Sequence, residues 1–115
     1  MEKQSYRTER KIILVGKNAS VDAVLKDLSI NEAGVVTPRG AREGTELELQ
    51  MELPAASGDF VNLSIDTIVT HRHNVEDDIY LKLHFSYLTE EQHQVISDFL
   101  AYKQRLIDMG KRPQL

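Results

Sequence analysis

Two short segments hold the side chains best suited to ligand chemistry. The first is Tyr6-Arg7-Thr8-Glu9-Arg10-Lys11, which runs into the apolar Ile12-Ile13-Leu14-Val15. The second is Asp27-Leu28-Ser29, at the end of another apolar segment. A guanidinium presents paired N–H donors that match phosphate oxygens and the O6/N7 edge of guanine. An Asp accepts from guanine N–H groups, and a Ser adds a hydroxyl. The chemistry that Arg7, Arg10, Asp27 and Ser29 share is recognition of a guanine nucleotide. Each segment alone also has a plainer reading, the first as a solvated basic tail and the second as a turn.

Other chemistries find less support. His71 and His73 lie two apart and share a face on a strand, with His84 on a neighbouring strand, but no Cys accompanies them. Exposed strand histidines are the commoner case, and no metal is expected. Glu46, Glu48 and Glu52 share a strand face as solvent exposure alone produces. No Ser–His–Asp order, P-loop or nucleophile elbow is present, so no catalytic residues are assigned and no enzyme is expected.

The chain has 115 residues, enough for one domain with one core. It has no Cys, which excludes a disulfide framework and fits a reducing compartment. No leader-like apolar region and no run of membrane-spanning length is visible, so a cytoplasmic protein without membrane insertion is the expectation. A net charge of -4 argues against DNA or RNA as partners. The basic residues of the first eleven positions suit a small anion instead.

The elements that must position these groups are mostly strands. Residues 1–9 read as a flexible basic arm and 10–16 as the first apolar run. Val21 to Leu28 and Val35 to Thr37 are further strand candidates, separated at Asn31-Glu32-Ala33-Gly34. Leu47, Leu49, Met51 and Leu53 alternate with Glu46, Glu48, Gln50 and Glu52, the period of a half-buried strand. Val61 to Val69 and Ile79 to Phe85 alternate likewise, the latter with Tyr80, Lys82 and His84 on the other face. Asn74 to Asp78 reads as the turn between them. The period then lengthens to that of a helix over about 89–109, opened by the capping box Thr89-Glu90-Glu91-Gln92 and stopped by Gly110 and Pro113. Such a helix is about 30 Å long, longer than a small barrel covers. Its distal part, Tyr102 to Met109, is therefore expected to overhang and to offer a surface to a homodimer partner or a target protein.

This order of basic arm, strands, Asp-x-Ser and terminal helix resembles the PilZ domain family of cyclic di-GMP receptors. The family's motifs are an Arg-x-x-x-Arg arm and an Asp/Asn-x-Ser-x-x-Gly segment. Here Arg7 and Arg10 are one residue closer, and the family spacing is met by Lys3 with Arg7 or Arg7 with Lys11. Glu32 stands where glycine is usual, and Gly34 follows two residues later. The resemblance implies an all-β fold, a small antiparallel six-stranded β-barrel with a C-terminal α-helix. It divides the chain into an arm at 1–9, a barrel domain at 10–110 and a tail at 111–115. It implies a bacterial cyclic di-GMP receptor and adaptor, whose arm closes over the ligand and changes the surface met by a protein target. Motility or biofilm-type behaviour would be the output. Arg7, Arg10, Lys11, Asp27, Ser29 and Gly34 are then the ligand residues, with no cofactor besides the ligand. The alternative is a PilZ-like interaction module that acts without the nucleotide.

Overall fold

The structure, a computed structural model, describes residues 4–110. Lys3 of the arm and the 111–115 tail, with Pro113, lie outside the described residues. Six strands precede one helix: β1 Tyr6–Val15, β2 Ser20–Leu28, β3 Glu32–Thr37, β4 Glu46–Pro54, β5 Phe60–Val75, β6 Asp78–Phe85 and α1 Glu90–Gly110. The strands close into an antiparallel barrel in the order β1-β2-β3-β6-β5-β4. This is the six-stranded barrel with a C-terminal helix that the resemblance implied.

Alternation explains the core. Leu49, Met51 and Leu53 of β4, Leu63 and Ile65 of β5, and Leu81, Leu83 and Phe85 of β6 all point inward and are buried. The four buried polar residues are Thr8, Ser29, Thr37 and Thr67, and no buried side-chain polar atom among the described residues lacks a hydrogen bond. A barrel removes the exposed strand edges that an open sheet would leave.

Three boundaries differ from the sequence reading. First, β1 begins at Tyr6, so residues 6–9 are strand and not arm. Tyr6 pairs with Leu28 and Arg7 with Asp27, and buried Thr8 continues the inward set of Ile12 and Leu14. The inward positions keep their two-residue period across the bulge between Arg7 and Arg10, but polar Thr8 and Arg10 fill them, which hides the strand from a search for apolar alternation. Second, β3 begins at Glu32, because the Ser29–Glu32 turn already closes β2 onto β3. Third, the β5–β6 connection is only Glu76-Asp77, with Val75 opposite Asp78. Glu76 there takes a left-handed φ of 55°.

The helix caps the barrel with its first half. Thr89 Oγ1 accepts from the Gln92 backbone N–H and Gln92 Oε1 accepts from that of Thr89, both at 3.0 Å, so the capping box forms. Gln92 Nε2 also donates to the Ser64 carbonyl at 2.9 Å, tying the cap to β5. Only Val95, Ile96 and Phe99 of the helix are buried. In the second half Gln104 still meets β1, accepting from the Tyr6 hydroxyl, while Tyr102, Leu106, Ile107 and Met109 are exposed.

Candidate functional site

Strand register assembles a row of side chains across the outside of the barrel. Arg7 on β1 stands opposite Asp27 on β2, Asp27 opposite Gly34 on β3, and Gly34 opposite Lys82 on β6. Arg7, Asp27 and Lys82 line a basin of about 700 Å³ together with Ser5, Thr8, Glu9 and Lys26. Three cations and two carboxylates thus surround one hollow.

Asp27 is its organising group. Its carboxylate accepts from the Tyr80 hydroxyl at 2.9 Å and lies 3.5 Å from Lys82 Nζ. Ser5 Oγ approaches it at 3.5 Å. Burial raises the Tyr80 pKa above the ordinary 10.0, and the hydrogen bond to Asp27 raises it further. Desolvation works against the Lys82 ammonium. The attraction of Asp27, with Tyr80 and Glu32 beside it, outweighs that and raises the lysine's pKa. The Tyr80 ring stacks on His73 at 4.8 Å. On the near side of the basin Lys26 is paired with Glu9, whose carboxyl is held below its ordinary pKa by that partner. Among the described residues, Arg7 has no carboxylate within ion-pair distance, so its guanidinium is free to receive an anion.

Gly34 has a specific reason. A Cβ there would lie 2.1 Å from the Tyr80 hydroxyl and 2.3 Å from an Asp27 carboxylate oxygen. Glycine is the residue that lets those two groups meet over the strand.

The remaining sequence candidates are placed elsewhere. Arg10 lies on the side of Thr8 and Ile12, not with Arg7. Its guanidinium sits 5.6 Å from the Phe99 ring centroid and 6.0 Å from that of Phe60, and donates to the Glu52 carbonyl at 3.3 Å. It rivets β1 to β4 and the helix. The pair of arginines closing on one ligand is therefore not what the structure assembles, because a three-residue step along a strand reverses the face. Lys11 lines a different hollow of about 740 Å³, with Ile13, Asp22, Val24 and Glu52. That hollow is larger, but Lys11 is its one cation against Asp22, Glu52 and Asp78, so it repels a dianion. Ser29 is buried. Its hydroxyl accepts from the Asn31 and Glu32 backbone N–H groups at 3.3 and 3.2 Å and donates to the Glu32 carbonyl at 3.3 Å. It shapes the β2–β3 turn that sets Asp27 opposite Gly34.

Sequence reasoning missed Lys26, Tyr80, Lys82 and Glu9 as members of the site. Tyr80 and Lys82 were legible as an outward face of β6, but only the β3–β6 register places that face beside Asp27. His71, His73 and His84 do not assemble: His71 pairs with Lys82, His73 with Tyr80 and His84 with Ile68. Among the described residues no group of three His, Asp or Glu side chains converges to hold a metal ion.

A closed antiparallel barrel with a helix at one end and a cationic basin on its wall is a small binding barrel. More specifically, the PilZ domain family model matches residues 3–102, and the chain belongs to that family. Its structure is similar to that of the Bacillus subtilis inhibitor of motility MotI/DgrA, with a TM-score of 0.78 at 15% identity. That match covers 98% of this chain and 53% of the other, so the chain spans about half the length of MotI/DgrA. It is also similar to the PilZ domain of YcgR from Escherichia coli, solved with cyclic di-GMP, with a TM-score of 0.68 at 12% identity over 97% and 98% of the two chains. MrkH of K. pneumonia in its apo state gives a TM-score of 0.70 at 16% identity, over 94% of this chain and 53% of that one. No curated protein sequence matches the chain significantly. At these identities the structural likenesses concern the fold.

Proposed function

We propose that the chain is a cyclic di-GMP receptor that serves as an adaptor in bacterial signalling, with motility or surface attachment as its output. The observation that carries this reading is the free Arg7 guanidinium beside Asp27 in the 700 Å³ basin. Family membership supplies the ligand class, and the PilZ domain of YcgR carries that ligand in its solved structure.

In this reading Arg7 takes a phosphate and the O6/N7 edge of one guanine. Lys26 and Lys82 turn from Glu9 and Asp27 to the other phosphate. Asp27, released from Lys82, accepts the guanine N–H groups. Arg7 is a strand residue, so the ligand settles onto a formed wall and little backbone ordering opposes binding. Re-pairing of Asp27, Tyr80 and Lys82 changes the face that a protein target meets. Arg10, Lys11 and Ser29 are not ligand contacts here. Ser29 positions Asp27, and Gly34 keeps the space around it.

One observation favours a second reading, a PilZ module that acts by protein contacts alone. Asp27 is already satisfied by Tyr80 and Lys82, and Glu32 adds negative charge near Lys82. Calorimetric titration of cyclic di-GMP into the protein separates the two. The receptor reading expects micromolar or tighter binding, about -8 kcal/mol or better. No heat and no thermal shift at saturating nucleotide would leave the second reading standing.

A further inference from the structure

The distal helix and the β4–β5 hairpin form a second groove, which shares no lining residue with the Arg7 basin. It measures about 380 Å³. Pro54, Ala55 and Ala56 of the hairpin line one side, and Asp98, Ala101 and Arg105 of α1 line the other. Around it stand Tyr102 at 47%, Leu106 at 46% and Met109 at 63% exposure. Three alanines leave room beside these large, exposed side chains, and the Arg105 guanidinium lies over the Tyr102 ring, 6.0 Å from its centroid.

The charges of the groove identify its occupant. Asp98 and Arg105 lie seven residues, two turns, apart on one face of the helix. They are too far apart along the axis to pair with each other. An antiparallel second helix, related by a two-fold axis between Ala101 and Tyr102, sets Asp98 against Arg105 of the other copy, and does so twice. The same axis sets each Tyr102 against the other copy's Ala101. Such a face is complementary to itself, which is the condition for a two-fold interface. A foreign helix would need the same charges at the same spacing.

We infer that this groove is the homodimer interface of the protein, formed by antiparallel packing of the α1 helices about Tyr102. Aromatic anchors filling small-residue pockets, with charges at their margin, are the usual composition of an interface centre.

Sedimentation velocity of the full chain tests this at increasing protein concentration. The wild type is expected to reach twice the chain mass. Asp98→Arg and Arg105→Asp, each alone, bring like charges together at both ends and should weaken dimerisation ~10-fold or more. An equimolar mixture of the two variants restores opposite charges in both contacts and should dimerise again. Each variant's thermal unfolding reports whether it is folded, Arg105 being exposed and Asp98 half-buried, where it accepts from Gln94. A wild type that stays monomeric at high micromolar concentration overturns the inference. So does a mixture that fails to dimerise while both variants are folded.

Discussion

Arg7 and Arg10 have the same chemistry and opposite placements. Arg7 faces the basin, while Arg10 lies over Phe99 and holds the Glu52 carbonyl. Their alanine variants should therefore differ in kind. Arg7→Ala should weaken cyclic di-GMP ~10-fold to ~100-fold in calorimetry, the loss of a charge-assisted contact, with unfolding in urea unchanged. Arg10→Ala should lower stability by about 1–2 kcal/mol through lost cation–π contacts and a lost hydrogen bond to the Glu52 carbonyl. Gly34→Ala forces a methyl into the Asp27–Tyr80 contact and should destabilise by about 1–3 kcal/mol, measured by chemical denaturation. Tyr80→Phe in the same chain removes the oxygen at 2.1 Å and should recover part of that loss. The raised Tyr80 and Lys82 pKa values also set a pH dependence. Both groups stabilise the fold fully below their unfolded pKa values, and that contribution fades as pH rises through the folded ones. Unfolding midpoints should fall above about pH 10, the unperturbed tyrosine range, and fall less in Tyr80→Phe.

At the level of elements, legibility followed regularity. The strands β4, β5 and β6 kept their two-residue alternation, and the Thr89–Gln92 box marked the helix start, so both could be read directly. β1 could not be read from its beginning, since polar Thr8 and Arg10 fill its inward positions and charged Arg7 and Glu9 look like a solvated tail. β3 was half hidden because Glu32 and Gly34 are poor strand formers by composition, yet the Ser29 turn pairs them with β6. The tight β5–β6 connection conceals a strained residue. Glu76 sits at a φ of 55°, a region that costs a non-glycine residue about 1 kcal/mol or more. Glu76→Gly relieves that strain but loosens the unfolded chain. The expected net is a gain of up to about 1 kcal/mol, seen as a higher urea midpoint.

For the whole molecule, barrel closure turns local motifs into a site. Asp27 and Gly34 are close in sequence, but Arg7 and Lys82 reach them only through the β1–β2 and β3–β6 pairings. The sequence could therefore name Arg7, Asp27 and Gly34. It could not name Lys26 and Lys82, which depend on register, nor separate Arg10 from Arg7 while residues 6–9 read as an arm and not as a strand with alternating faces. The helix has a similar division: its buried half completes the core, and its distal half keeps Tyr102, Leu106, Ile107 and Met109 exposed. The central claim is that the row through Arg7, Asp27, Gly34 and Lys82 receives cyclic di-GMP. The most direct measurement is a nuclear magnetic resonance titration of the labelled protein with that nucleotide, following every backbone amide. The account predicts shifts concentrated at Arg7, Lys26, Asp27, Gly34, Tyr80 and Lys82, with Lys11 and the distal helix unchanged. Saturable shifts centred on the Lys11 hollow or on Arg10, with the Arg7 row silent, would contradict it, as would a spectrum that does not change.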